Sequence, residues 1–318
     1  MITLAQAQTL TQDKLWNGVV DELRKDALLE MMVFDNNAVY NNGSTLNYSY
    51  NKIKNRSGAA SRAINTDYTA SEADTELVTV PLKILGGKYE IDRVIHAYVH
   101  GVQYADQEAF QLEEKIKAIR RGFAKQFIAG NSSTDSKEFD GLDKLISDKM
   151  KLDTDIDLST PALITQNYSA LLDALRDMEA EFDGDPTAYF CSREGYALMQ
   201  KIADRAAGFT VTKDNFGRET IRYNGSVFAR LGDTNGSNYC PIPIETATGK
   251  TAIYPVRIGL DAVHAISPTG NTAGIDVYPI DKESSSAVRS GACEMVTAIA
   301  LKNIRTAGKI TFKLKATG

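Results

Sequence analysis

Phe127-Ile128-Ala129-Gly130-Asn131, followed closely by Glu138-Phe139-Asp140-Gly141-Leu142, decides how this chain is read. Upstream, Ala105, Ala109, Leu112, Ile116, Ile119, Phe123 and Phe127 step by three or four and draw one apolar stripe along a helix face. The spacing predicts a helix from about Gly101 to Ala129, which at roughly 1.5 Å per residue is on the order of 40 Å long. Globular helices average about three turns, so this one reads as a strut. Gly130 is expected to end it, since glycine accepts the left-handed conformation that closes helices. A polar Ser/Thr/Asp run follows, and Phe139 and Leu142 return the chain to a core on either side of Gly141.

Before the strut lies a long polar excursion. Two strand-like stretches, about Leu46–Ile53 and Leu77–Ile84, flank Asn55 to Asp74, where Ile64 and Tyr68 are the only large apolar residues. Polar segments longer than about 12–15 residues are uncommon in a compact domain unless they are functional or disordered. The charges are sorted: Lys52, Lys54, Arg56 and Arg62 come first, then Asp67, Glu72, Asp74 and Glu76. A projecting two-stranded arm with a basic and an acidic edge suits contacts with a neighbouring subunit, and these eight residues are the contact candidates. Single exposed pairs contribute little, so the effect must come from repetition. Earlier still, Thr9-Leu10-Thr11-Gln12 fits a capping box, and Trp16, Val19, Val20, Leu23 and Ala27 continue one helical face, read as a core helix or as an arm on a neighbour. Turn-rich Asn36-Asn37 and Asn41-Asn42-Gly43 end that unit.

Beyond Leu142 the pattern is mixed α/β. Helices are expected over about Thr165–Phe182, stopped by Gly184-Asp185-Pro186, and over Arg193–Ala206, with a strand at Thr187–Cys191 between them. Asn224-Gly225 is the centre of a tight hairpin. Strands are expected at Ala252–Ile258, Ala262–Ile266, Ile275–Ile280, Cys293–Ile304 and Lys309–Lys315. In the last, Ile310, Phe312 and Leu314 alternate with polar residues.

Composition is that of a globular protein: 318 residues, 43% hydrophobic and 24% charged. A net charge of −5 gives no basic footprint for binding free nucleic acid. Cys191, Cys240 and Cys293 are too few and scattered for a disulfide framework, and no C-x-x-C occurs. Met1-Ile2-Thr3-Leu4-Ala5-Gln6 lacks a basic n-region and an apolar h-region, and no run reaches membrane-span length. A reducing cytoplasm is the expected place of folding.

The motifs of chemistry fail one by one. Gly249-Lys250-Thr251 imitates the end of a phosphate loop, but Ile244 stands where the first glycine belongs. Asp153-Thr154-Asp155-Ile156-Asp157 resembles the start of a calcium loop, but Leu158 and Ile164 occupy the glycine and bidentate-acid positions, so an acidic surface loop is expected. His96 and His100 are four apart without the glutamate of a zinc-protease helix. Only His264 remains, and no G-x-S-x-G elbow occurs. No catalytic, cofactor-binding or metal residue is assigned, and an enzyme is not expected.

The order of pieces is N-terminal helix, projecting hairpin, strut helix, the turn ending in Glu138-Phe139-Asp140-Gly141-Leu142, compact α/β region and C-terminal strands. That order resembles the major capsid protein of tailed bacteriophages, the Hong Kong 97-type shell fold, over nearly the whole chain. Phe127, Gly130 and Glu138 to Leu142 match the end of its spine helix. Tyr189-Phe190-Cys191-Ser192, the Tyr196–Ile202 helix and Asn224-Gly225-Ser226-Val227 look like pieces of its axial domain. The resemblance implies an α+β fold with an N-terminal arm (1–33), an extended β-hairpin loop (about 46–85) and a spine helix within 34–135. It further implies an α/β axial domain (136–273) and C-terminal strands of the peripheral domain (274–318).

Functionally, the resemblance implies hexamers and pentamers tiling an icosahedral shell around double-stranded DNA bound without sequence specificity. Implied partners are further copies of the chain, a separate scaffolding protein, a portal protein and a possible decoration protein, with no membrane. The implied location is the virion, assembled in the bacterial host cytoplasm. Some relatives join a loop lysine to an asparagine of another subunit. Lys52 and Lys54 could serve as nucleophiles, but no asparagine lies between Asn271 and Asn303, so cross-linking is not expected. Two other readings are an encapsulin-type shell that encloses enzymes, and a soluble α/β enzyme with a lid at Asn55–Ala73.

Overall fold

The computed structural model describes residues 27–35, 46–55, 57–98, 107–213, 219–232, 235–236, 238–268, 275–281 and 285–316. The capping box, the Trp16 face and the Asn36–Gly43 turns therefore lie outside the described residues, as do Arg56 and His100.

Helices run over Ala27–Met31, Arg93–Tyr98, Gln107–Ala129, Leu142–Leu145, Pro161–Glu181 and Arg193–Ala203. The strands before residue 200 are β1 Phe34–Asp35, β2 Asn47–Asn55, β3 Asp74–Pro81, β4 Lys83–Asp92, β5 Lys151–Asp157 and β6 Ala188–Cys191. Those after it are β7 Phe209–Lys213, β8 Glu219–Tyr223, β9 Ser226–Arg230, β10 Lys250–Val256, β11 Val263–Ile266, β12 Ile275–Tyr278, β13 Val288–Leu301 and β14 Lys309–Lys313. Among the described residues they form three sheets: five strands (β1-β11-β13-β12, with β4 also on β13), seven strands (β5-β14-β10-β6-β9-β8-β7), and the pair β2-β3. The fold is α+β.

The long helix is the strut the stripe predicts, described from Gln107. Ile119, Phe123, Ala124, Phe127 and Ile128 are buried. Phe123 meets Phe139 at 5.8 Å between ring centroids, and Phe127 meets Phe190 edge-on at 5.7 Å. The strut thus joins the core of the seven-stranded sheet, where removing either ring would cost about 3–5 kcal/mol.

The helix ends differently from expectation. Gly130 is not among the residues with positive φ. It is glycine because a Cβ there would lie 2.3 Å from the Phe139 carbonyl oxygen. The turn beyond is held by the two carboxylates of the Glu-Phe-Asp segment. Glu138 accepts from Asn131 N–H at 3.3 Å, and Asp140 accepts from Ser132 N–H at 2.8 Å and pairs with Lys144 at 2.8 Å.

The second stretch of the arm is two strands. Leu82 is buried, and its N–H donates to Leu46 O at 2.9 Å. The chain turns there and enters β4, which pairs with β13 from Asp92↔Val288 to Lys83↔Thr297. The acidic loop expected at 153–157 is instead part of β5, parallel to β14 on the edge of the seven-stranded sheet. Its aspartates point outward, and Lys250 reaches Asp153 at 2.9 Å and Asp155 at 3.0 Å. β14 is the alternating strand expected, with Ile310 and Phe312 buried. It pairs with β10 and β5, so residues 274–318 are divided between two sheets: β12 and β13 in one, β14 in the other.

Local chemistry explains the remaining joins. The Pro161–Glu181 helix is capped by Thr160, whose Oγ1 accepts from Leu163 N–H at 3.3 Å. Ser192 caps the next helix through Gly195 N–H at 3.0 Å. That helix stops at Ala203, three residues short of expectation. Asn224 (φ 50°) and Gly225 (φ 85°) make the hairpin turn between β8 and β9.

Candidate assembly surface

β2 and β3 pair from Asn47↔Pro81 to Asn55↔Asp74, and residues 57–77 beyond and along them are all exposed. Ile64 is 90% exposed, so the tip has no core of its own. It is ordered by small local bonds. Gly58 N–H donates to Ser71 Oγ at 2.9 Å, Arg62 Nη1 donates to Thr66 O at 3.1 Å, and the Arg62 guanidinium lies 5.2 Å from the Tyr68 ring centre.

The register brings Lys52 directly opposite Glu76, one basic and one acidic candidate on the same rung. Among the described residues no ion pair joins them. Lys54 lies in β2 beside that rung. Arg62 Nη1 is bonded within its own turn, and Asp67 accepts from Tyr68 N–H at 3.0 Å. Glu72, Asp74 and Glu76 are exposed along the returning strand. Among the candidates whose side chains are described, Arg62, Asp67, Glu72, Asp74 and Glu76 are exposed and Lys52 is half-buried.

At its root the arm is fastened by residues that sequence reasoning missed. Tyr48 is 2% exposed, and its hydroxyl donates to Asp35 Oδ2 at 3.1 Å and lies 3.1 Å from His264 Nε2. Tyr50 donates to Leu301 O at 3.0 Å, and Lys83 Nζ donates to Ser136 O at 2.6 Å. Tyr48 and Tyr50, alternating in Asn-Tyr-Ser-Tyr, were the available signal of a strand with one core-facing side.

His264, Cys191 and Cys293 are buried. Burial, then the nearby Lys302, lowers the His264 pKa to about 4, so the imidazole is neutral near pH 7. Burial pushes the Cys191 thiol up to about 12 and raises that of Cys293. Among the described residues no cluster of three His, Cys, Asp or Glu is gathered for a metal ion. A groove of about 500 Å³ lies over β4, β12 and β13, with Gly86, Gly291 and Ala292 on its floor and Ile84, Lys88 and Tyr278 around it. No helix among the described residues is long and apolar enough to cross a membrane.

Compared with known proteins, the chain matches no family model and no curated sequence. Solved structures do match it, over almost its whole length. An encapsulin complex of Synechococcus elongatus, holo-SrpI, is 15% identical with a TM-score of 0.62, covering 98% of this chain and 95% of that one. A structure from Mycobacterium phage Bobi is 11% identical with a TM-score of 0.60, covering 98% and 99%. The capsid of Myoviridae phage XM1 is 14% identical with a TM-score of 0.59, covering 90% and 92%.

This is the Hong Kong 97-type shell fold. At this level of identity the likeness establishes architecture, and in that architecture the β2–β3 arm is the extended loop and Gln107–Ala129 the spine helix. Within that fold the strut is 23 residues long as described, and the arm is buried at its root, by Tyr48, but exposed throughout 57–77.

Proposed function

We propose that this chain is the major capsid protein of a tailed phage, a structural protein that assembles with copies of itself into hexamers and pentamers of an icosahedral shell around double-stranded DNA. The observation that carries the reading is the exposed arm on a shell fold. Residues 57–77 are ordered locally yet cover no core, which fits a segment completed by neighbouring subunits. Phage structures among the matches support the phage assignment. The absence of a basic field, at a net charge of −5, fits DNA that is enclosed without being gripped.

In this reading 1–33 is the N-terminal arm, 34–135 carries the extended loop and spine helix, and 136–273 is the axial domain. β12 and β13 of 274–318 complete the peripheral domain, while β14 returns to the axial sheet. The contact residues are Lys52, Lys54, Arg56, Arg62, Asp67, Glu72, Asp74 and Glu76. A separate scaffolding protein, a portal protein and a decoration protein are the further partners, and the particle assembles in the host cytoplasm. No catalytic role is assigned.

A second reading, an encapsulin-type compartment, has the encapsulin match in its favour. Negative-stain microscopy of the chain expressed alone and with its neighbouring genes decides between them. Closed shells that fill with DNA support the phage capsid, shells that co-purify with an enzyme support the encapsulin, and a persistent monomer under all conditions overturns both.

A further inference from the structure

The Tyr48 hydroxyl carries one proton. Asp35, a carboxylate, can only accept, so that proton goes to its Oδ2 at 3.1 Å. His264 Nε2, 3.1 Å away on the other side, must then be the donor to the Tyr48 oxygen. This assigns the Nε2–H tautomer and leaves Nδ1 buried beside the Ala262 backbone, without a hydrogen bond of normal geometry among the described residues. One directional chain thereby ties β1, β2 and β11 together, and its middle member belongs to the root of the arm.

Among the described residues, Lys302, Asp261 and Tyr50 are the other charged or titratable groups around it. Lys302 Nζ lies 5.6 Å from the Tyr48 ring centre and opposes a positive charge on His264. Asp35 and Asp261 favour such a charge. Tyr50 also faces Tyr48, with its own hydroxyl bonded to Leu301 O.

We propose that Asp35, Tyr48 and His264 form a proton-operated latch at the root of the arm, closed while the imidazole is neutral and released when it takes up a second proton. The proposal rests on the reading of β2–β3 as a projecting arm, but not on shell assembly. Protonation would place a cation in a fully buried site, where the charge of Asp35 and a bond to the Ala262 backbone offset only part of the cost of burial. An imidazole that swings out with Tyr48 escapes this penalty, so protons bind preferentially to the open form.

The direction follows from the depressed value. Closure is fully favoured above pH 6.5 and weakens as pH falls from 6.5 to about 4. Between neutral pH and pH 4.5 the open-to-closed ratio should rise by roughly 60-fold.

The test is hydrogen–deuterium exchange of the full chain at pH 7 and pH 4.5, corrected for intrinsic rates, in wild type, His264→Gln and Tyr48→Phe. Gln keeps an N–H donor near the Nε2 position and cannot titrate. In wild type the amides of 47–50, 79, 80 and 82 should lose protection by tens of fold at pH 4.5 while those of 188–191 and 252–254 keep theirs. His264→Gln should show no such change, and Tyr48→Phe should be open at both pH values. Equal root protection at both pH values in wild type, the same acid loss in His264→Gln, or simultaneous loss in both sheets overturns the latch.

Nitrogen NMR of the imidazoles gives an independent reading, because the chain has only three histidines. The resonance missing in His264→Gln, or shifted in Tyr48→Phe, should report the Nε2–H tautomer; an Nδ1–H tautomer or a midpoint near 6.5 overturns the proposal. Both measurements are made on the unassembled chain. Their failure therefore leaves the shell reading standing, and failure to form shells leaves the latch standing.

Discussion

Gly141 N–H donates to the Gly130 carbonyl oxygen at 2.8 Å, clasping the end of the spine helix to the start of the next helical turn. The two glycines meet backbone to backbone. A Cβ on Gly141 would sit 2.4 Å from Gln126 O, and one on Gly130 would sit 2.3 Å from Phe139 O. Neither obstacle is a side chain that could turn aside.

Gly130→Ala and Gly141→Ala should therefore each destabilise the chain by about 2–4 kcal/mol, the scale of forced backbone displacement in a packed region. Gly58→Ala, whose nearest new neighbour would be Ser71 Oγ at 3.6 Å, should stay within about 0.5 kcal/mol. Urea midpoints of the three variants check this. A Gly141→Ala chain as stable as wild type would remove the clasp from the account.

Deleting Asn55–Ala73 should leave both larger sheets intact, since the exposed residues 57–77 cover no core. Circular dichroism and thermal unfolding of the truncated chain should match the full chain, while microscopy finds no closed shells. Normal particles from the truncated chain would show that the arm does not direct assembly.

The Lys52↔Glu76 rung permits a charge-swap experiment. Lys52→Glu alone places two acids opposite each other, at a cost of about 0.2–1 kcal/mol in the monomer. Lys52→Glu with Glu76→Lys should restore the monomer. Arg62→Glu should barely affect folding, yet lower the yield of assembly, more at low salt than at high. Light scattering at two ionic strengths reads the outcome, and an assembly yield indifferent to Arg62→Glu would leave these charges merely solvated.

Acid unfolding should proceed in two windows. Between pH 6.5 and about 4 His264 weakens the fold by at most on the order of 3 kcal/mol, and by less as the opened root takes up the proton while the larger sheets stay folded. Asp153 is held below the usual carboxylate range by the Thr311 hydroxyl and then Lys250, and Asp157 by its bonds to Ser159 and Lys313. Their contribution is present above the ordinary carboxylate pKa and is lost as pH falls through the depressed values. Melting temperatures from pH 7 to pH 2 should lose the upper window in His264→Gln and shrink the lower one in Asp153→Asn with Asp157→Asn. A single unaltered transition in both variants would contradict these assignments.

Much of the fold was legible because its signals are local. The stripe from Leu112 to Phe127 repeats with the helix period, Asn224-Gly225 meets the dihedral demands of one turn type, and Ile310 and Phe312 alternate with the strand period. The misreadings share a different cause. Gly130 looked like a left-handed stop because a glycine after a helix usually is one, but its reason is the Phe139 carbonyl, which reaches it only after the chain turns back. Asp153, Asp155 and Asp157 looked like a surface loop because their spacing imitates the start of a calcium loop. Lys250, Thr311 and Lys313, all far along the chain, supply the partners that make that strand stable.

By itself the sequence determined the long helix, the unburied polar arm and the sorted charges, because each depends on residues within a few positions of one another. Tertiary structure alone decided that β14 joins the sheet of β10 and β5, that Leu82 splits the arm's return into two strands, and that Lys52 faces Glu76. It also decided that Tyr48 bonds a histidine 216 residues away. Those outcomes turn on which strand edges and buried donors meet across the fold. A hydrogen bond between distant residues leaves no periodicity in the chain, only two polar side chains that each require a partner.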